Sequence, residues 1–116
     1  MAKVFISLPM RNRTDEEIKA RMDEIVEKAS IRLNDELILL DTLFAEDEPE
    51  DSTHGCWYLG KSISLLSSAD FVIFDHDWRT ARGCIIERKI CNMYDIPYYT
   101  IMTEDDPWSC DVKVGK

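Results

Sequence analysis

Short apolar segments alternate with segments of helical periodicity along most of this chain, and that order limits the fold more than any single motif. The apolar segments are rich in Val, Ile, Leu, Phe and Tyr, which favour extended structure. Strand–helix alternation is typical of a parallel sheet with helices packed on both faces. The pattern predicts strands at 3–8, 36–43, 71–74 and 96–102, and helices at 15–33, 56–68 and 81–94.

The chain length and the spacing of these segments predict a single domain. With 116 residues the chain is near the commonest domain size, and its four glycines and four prolines leave little room for long linkers. We therefore expect an α/β fold: a single Rossmann-like (flavodoxin-like) three-layer domain across 1–116, with a mainly parallel sheet of four to five strands. Its core should span residues 3–102, and residues 103–116 should form a C-terminal tail.

Sequence signals also predict where the first helix begins and which helix faces are buried. Thr14 and Glu17 form a capping box, in which each side chain bonds the backbone amide of the other residue. Apolar residues at helical spacing predict the inward face of each helix. In the first helix they are Ile18, Met22, Ile25, Ala29 and Leu33. In the second they are Leu59, Ile63 and Leu66, with Trp57 as a further candidate, and in the third Ile85, Ile86, Ile90 and Met93.

The charge of the chain narrows the class of partner. Fourteen basic and 23 acidic side chains give a net charge of −9. Binding to the backbone of DNA or RNA needs dense patches of Lys and Arg, so we expect no nucleic-acid partner. A small anionic ligand is compatible with this charge, because a local pair of arginines can hold one phosphate.

Two absences predict the location of the protein. No apolar run approaches the roughly 20 residues that a membrane helix needs. The N-terminal residues 1–7 are too few and too soon polar for a signal peptide. We therefore expect a cytoplasmic protein with no membrane partner.

The four cysteines show no paired CxxC spacing; they are Cys56, Cys84, Cys91 and Cys110. Reduced and largely buried thiols are the favoured interpretation. The alternative is a disulfide or a zinc site at Cys84 and Cys91, which lie seven residues apart on one face of the predicted helix. His54 and His76 lack the spacing of metal ligands, so we expect no metal and no cofactor.

Ligands of parallel α/β sheets bind beyond the carboxyl ends of the strands, near the switch in strand order. This rule selects the segments 7–13 and 75–83, which follow the first and third predicted strands. In the first segment Ser7, Arg11 and Arg13 precede a helix N-terminus, an arrangement that suits a phosphate or a sugar. Without a glycine-rich fingerprint, two ordinary surface arginines are the alternative.

The second segment carries the candidate chemistry. Glu87 comes about one turn into the following helix, where a carboxylate can act as a nucleophile at an anomeric carbon or as a general base. The alternative is a surface glutamate paired with Arg82 or Arg88. Trp78 is a candidate for stacking on a base, the alternative being a packing residue, and Gly83 would allow a ligand to approach closely.

Four sequence motifs in order resemble the nucleoside 2-deoxyribosyltransferase-like superfamily, in particular a small branch found in phage and bacterial genomes. They are VFISLPM at 4–10, SADFVIF at 68–74, Trp78 with RGCIIE at 82–87, and YDIP at 94–97. The resemblance covers residues 3–102. It implies a Rossmann-like fold and a retaining glycosyl transfer on a nucleoside or nucleotide.

The resemblance also implies roles for particular residues. Glu87 maps onto the nucleophile, which displaces the base and forms a covalent deoxyribosyl intermediate that a second base or water resolves. Asp75 and Asp77 are our candidates for the accompanying proton transfer. The candidate substrate-binding residues are Ser7, Pro9, Met10, Arg11, Trp78, Thr80, Arg82 and Gly83. Relatives pair their active sites across subunits, so a homo-oligomer is implied too.

The sequence departs from this family at three positions. Phe5 stands where an aromatic hydroxyl is usual, Ser62 where an aspartate is expected, and Ala81, beside Thr80, where a serine is expected. Two functions therefore stay open: a transferase or hydrolase of N-glycosidic bonds, and a catalytically impaired module that senses or sequesters a nucleotide-like ligand. An interaction-only protein, using the acidic stretch at 45–53 and the tail around Trp108, is a third.

Overall fold

A computed structural model of the chain describes residues 1–42, 55–103 and 110–113. The acidic stretch at 45–53, His54 and Trp108 lie outside these residues. The described strands are β1 Ala2–Ser7, β2 Leu37–Leu39, β3 Phe71–Phe74, β4 Tyr98–Ile101 and β5 Cys110–Lys113. The helices are α1 Asp15–Leu33, α2 Cys56–Leu66 and α3 Arg82–Met93, with a 3₁₀ turn at Trp78–Thr80.

The strands form one sheet in the order β2-β1-β3-β4-β5. The first four strands of this order pair in parallel, and β5 pairs antiparallel with β4. This is the strand order of flavodoxin-like folds, and it confirms the predicted mainly parallel sheet. The sequence analysis assigned no strand to the tail. That expectation was wrong for 110–113, because the free edge of β4 offers backbone groups with which a segment of weak strand propensity can pair.

Helices cover both faces of the sheet and confirm the three-layer prediction. On one face Val4 and Ile6 of β1 pack with residues of α1. On the other face Phe5 packs with Leu66 of α2 and Cys91 of α3. Because side chains alternate along a strand, Ser7 lies on the same face as Phe5, towards α3.

The first helix matches its predicted start, its predicted last residue and most of its predicted buried face. Thr14 accepts from the Glu17 amide and Glu17 accepts from the Thr14 amide, which is the predicted capping box. Asn34 ends the helix with a φ of 51°, a left-handed conformation that asparagine tolerates. The buried residues are Ile18, Met22, Ile25 and Ala29.

The inward face predicted for the third helix was wrong in part, although Ile90 packs against the core as expected. Its buried residues are Cys84, Glu87 and Cys91, while Ile86 is 38% and Met93 79% exposed. The helix is rotated so that two small thiols contact the sheet, and a carboxylate occupies the position between them. The periodicity of large apolar residues cannot predict such a face. It treats every polar residue as exposed, whereas Glu87 is buried because it hydrogen-bonds a residue of the sheet.

The described part of the chain contains no helix with the length and apolar character needed to cross a membrane.

Two isoleucines of α1 allow a matched test of this packing. Ile25 is 1% exposed and Ile31 is 75% exposed. We expect Ile25→Ala to lower the free energy of unfolding by about 2–5 kcal/mol through the cavity it creates. The same change at Ile31 should alter it by less than about 0.5 kcal/mol. Urea denaturation of both variants measures the difference, and equal losses would contradict the described orientation of α1.

Candidate functional site

The chain leaves the carboxyl ends of β1 and β3 towards opposite faces of the sheet. The segment after β1 enters α1 on one face, whereas the segment after β3 enters α3 on the other. The two strands are direct neighbours, and the Asp75 amide donates to the Ser7 carbonyl at 3.0 Å just beyond them. The two loops that the sequence analysis selected therefore meet at the switch point, where ligands of such folds bind.

Glu87 is a buried carboxyl group at this edge whose partner is a neutral hydroxyl. It is 6% exposed, and its Oε1 accepts a hydrogen bond from the Ser7 hydroxyl at 2.7 Å. Burial raises the pKa of Glu87 to about 7, against the opposing effect of the Ser7 hydrogen bond. The alternative interpretation of Glu87 as a surface glutamate paired with Arg82 or Arg88 is therefore wrong.

A pocket of about 190 Å³ opens in front of Glu87. It is lined by residues from the end of β1, from the first turns of α2 and from the start of α3. Four predicted site residues are among them: Ser7, Met10, Gly83 and Glu87. Pockets for drug-sized ligands usually measure about 300–1,000 Å³, so this one has room for a single ring rather than for a whole ligand of that size.

Two helices begin at this pocket. Gly55 precedes α2 and Ala81 precedes α3; both residues line the pocket, and neither provides a side-chain cap. The first amides of a helix lack acceptors within the helix. At the pocket such amides suit the oxygen atoms of a carbonyl, a hydroxyl or a phosphate.

The structure does not bring Asp75 and Asp77 into this pocket. They line a separate polar depression on the α1 side, together with Arg13, Arg21 and His76. Asp75 is completely buried and accepts two hydrogen bonds from Arg21, at 2.7 and 2.9 Å. Asp77 accepts one from Arg13 at 3.0 Å. These carboxylates balance arginines, which is a structural role.

The pKa of Asp75 agrees with that role. Burial alone would raise the pKa, but hydrogen bonds from Arg21 and His76 outweigh burial and lower it to about 2. Ligand atoms of Asp75, His76 and Asp77 lie within 4.8 Å of one another, a spacing that a metal ion could use. Both oxygens of Asp75 already accept from Arg21, so an ion would have to compete with that pair.

The other predicted binding residues lie around the edge. Pro9 is buried, whereas Arg11, Thr80 and Arg82 are exposed, each next in sequence to a residue that lines the pocket. Thr80 donates its hydroxyl proton to the Asp77 carbonyl at 2.8 Å, within the 3₁₀ turn.

Trp78 does not line the pocket of Glu87. It packs beside Phe74 at a centroid distance of 6.2 Å, and the Arg88 guanidinium lies 4.2 Å from the centre of its ring. Arg88 also lies 4.6 Å from the ring of Tyr98 and donates to Thr100. Trp78 therefore takes the packing alternative, as part of an aromatic cluster that surrounds Arg88.

The sequence analysis did not predict several pocket residues as site residues. Thr42 and Tyr58 belong to no motif, and Cys84 was interpreted as a buried thiol of the core. Ser62 and Ala81 were noted only as departures from the family, and both line the pocket. One usable signal was the alternation of side chains along β1. It predicts that Ser7 lies on the same face of the sheet as Phe5, and not on the face of Ile6.

Comparison of the chain with protein-family models, with curated proteins and with solved structures found no match. The resemblance drawn from the sequence motifs therefore stays a prediction, and the chemistry of the site rests on its geometry.

Replacing Arg21 tests the structural role of Asp75. Arg21→Met would leave a buried carboxylate without its cation, and we expect a loss of about 3–5 kcal/mol in the free energy of unfolding at pH 7. Lys28→Met is a matched control, because Lys28 pairs with Glu24 at the exposed surface of the same helix. Its loss should stay below about 0.5 kcal/mol.

The pH dependence gives the same test a second readout. The pKa of Asp75 is about 2 in the folded chain, below its ordinary value of 3.8. Ionised Asp75 therefore stabilises the fold above about pH 4, and this stabilisation is lost as the pH falls towards 2. Arg21→Met should flatten that acid limb in urea titrations, and an unchanged limb would contradict the assignment.

Proposed function

We propose that this protein cleaves or exchanges the N-glycosidic bond of a nucleoside or nucleotide, with Glu87 as the nucleophile. The observation that carries the proposal is a carboxylate that is 6% exposed, fixed by Ser7 at 2.7 Å, and lining a pocket at the switch point of the sheet. A buried carboxylate is costly to the fold, so its retention at a ligand-binding edge favours a chemical role.

The environment of Glu87 suits a reaction that develops positive charge. Cleavage of a glycosidic bond passes through an oxocarbenium-like state with positive charge at the anomeric carbon. A carboxylate in a buried, largely apolar pocket stabilises such a charge more strongly than one in water. Attack by Glu87 on C1′ forms an ester to the sugar as the C1′–N bond breaks, and the base leaves with its electron pair and takes up a proton from solvent. Water or a second base then attacks C1′, loses a proton to solvent and releases the Glu87 carboxylate.

The surroundings of the pocket support a nucleoside or nucleotide as the ligand. Its volume of about 190 Å³ matches one ring, with room at the mouth for the other. The uncapped starts of α2 and α3 offer amides to ring or phosphate oxygens. Arg11 and Arg82 are exposed and adjoin pocket residues in the sequence, so they would attract a 5′-phosphate by charge.

A binding module is the second candidate, and one observation favours it. Among the described residues that line the pocket, Glu87 is the only carboxylate. Retaining glycosidases use a second carboxyl group about 5–5.5 Å from the nucleophile to protonate the leaving group. Ser62 and Ala81 line the pocket at positions where the family resemblance implies an aspartate and a serine, so among the described residues of the pocket no acid faces the leaving base.

We extend the proposal to a homo-oligomer that acts in the cytoplasm. The half-buried side chains of Trp57 and Leu65 line an open groove along α2, and a second subunit could cover this groove. Light scattering on the purified protein measures its mass in solution and tests whether it is a homo-oligomer.

Glu87→Gln separates the two functions. We expect the unmodified protein to release free base from at least one member of a panel of nucleosides and deoxynucleoside monophosphates. Loss of the nucleophile should lower that rate by a thousandfold or more, roughly. Glu27→Gln, at an exposed position of α1, is the matched control and should keep the full rate. Chromatographic detection of free base gives the readout.

Binding distinguishes the remaining outcomes. A ligand that binds tightly by calorimetry, without base release from any panel member, would overturn the enzyme and support the binding module. Base release that survives Glu87→Gln would overturn the role of Glu87.

The pH profile tests how Glu87 acts. A nucleophile must be ionised, and the pKa of Glu87 is about 7. We therefore expect kcat/KM to rise with pH and to level off above about pH 7. A profile that falls over this range would contradict nucleophilic attack and indicate a proton donor. Initial rates of base release between pH 5 and 9 (about two units either side of that pKa) give the answer.

A further inference from the structure

Among the described residues, a short hydrogen bond between Ser7 and Glu87 joins the two halves of the fold. Ser7 is the last residue of β1 and Glu87 lies in the second turn of α3, 80 positions later. Both side chains are buried, at 2% and 6% exposure. A charge-assisted hydrogen bond between buried groups is strong and directional. This contact therefore restricts the rotation of the carboxylate more than packing alone would.

The chemistry of the two side chains sets the direction of this hydrogen bond. A serine hydroxyl has one proton to donate and lone pairs to accept with, whereas an ionised carboxylate can only accept. The Ser7 hydroxyl therefore donates its proton to Oε1 of Glu87. The Cys84 thiol lines the same pocket, and burial raises its pKa to about 12, so it remains protonated at neutral pH.

We propose that Ser7 is the positioning residue of Glu87: it fixes Oε1 and leaves Oε2 as the atom that meets the ligand. The identity of Oε2 as the attacking atom rests on the proposed function. The fixing of Oε1 does not, since it follows from the contact between Ser7 and Glu87.

Few other groups around Glu87 titrate. From α3 the thiols of Cys84 and Cys91 face it, and from α2 the phenol of Tyr58 lines the same pocket. Among the described residues that line the pocket, β1 contributes the hydroxyl of Ser7 and the segment after β2 contributes that of Thr42, and neither hydroxyl titrates near neutral pH. Burial raises the pKa of Cys91 to about 12 as well. Among the described residues, Ser7 is therefore the side chain whose hydrogen bond to Glu87 opposes the effect of burial on its pKa.

The pKa of the Glu87 carboxyl can be measured without a substrate. Carbon-13 NMR titration of protein labelled in its glutamate side chains gives this value for the free protein. We expect Ser7→Ala to raise it by about one unit, because the ionised form loses its donor. Ser7→Thr should return it to near the wild-type value, since the hydroxyl is restored. Ser62→Ala removes another hydroxyl from the same pocket and should leave it unchanged.

Turnover provides the second readout. If the protein releases base, Ser7→Ala should lower kcat about tenfold or more with little change in KM, because a misoriented nucleophile binds substrate but reacts slowly. Ser7→Thr should recover most of kcat. A structural role alone would not predict this recovery together with the shifted pKa.

The outcomes are distinct from those of the proposed function. An unchanged pKa in Ser7→Ala, or an equal shift in Ser62→Ala, would overturn the positioning role whether or not the protein is an enzyme. A shifted pKa that Ser7→Thr restores would support it, even if no nucleoside is cleaved and the proposed function fails.

Discussion

The parallel pairing of β1 with β3 determines most of what is chemically distinctive in this molecule. Its register runs from Val4 opposite Phe71 to Ser7 opposite Phe74. That register directs Val4 and Ile6 to the α1 face and Ser7 to the α3 face. A slip of one residue would exchange the two faces. Glu87 would then be buried without its donor, and the apolar packing under α1 would lose its central residues.

The same edge of the sheet holds two buried carboxyl groups with opposite electrostatics. Asp75, on the α1 side, is matched by the planar guanidinium of Arg21, and its pKa falls to about 2. Glu87, on the α3 side, has a neutral hydroxyl as its partner, and its pKa rises to about 7. The sheet separates a compensated charge, which stabilises the fold, from an uncompensated one, which is suited to chemistry.

The pocket itself combines features that favour different functions. A fixed carboxylate and two uncapped helix starts suit a sugar or phosphate ligand and a developing positive charge. Ser62 and Ala81, in contrast, supply no acid for a leaving group. Under the proposed function, the distinction between enzyme and binding module depends on the source of one proton, because Glu87 already offers a buried carboxylate held by Ser7.

Local patterns in the sequence were sufficient for the order of elements, the cap at Thr14 and the buried face of α1, since each depends on residues within a few positions of one another. They also selected the two loops of the switch point, and the family resemblance selected Glu87. Only the tertiary structure decided that α3 turns Cys84, Glu87 and Cys91 towards the sheet, that Asp75 belongs to Arg21, and that 110–113 adds a strand. Contacts across 54 or 80 positions, as in the Arg21–Asp75 and Ser7–Glu87 pairs, leave no periodic trace, because the chain brings them together only when the sheet forms.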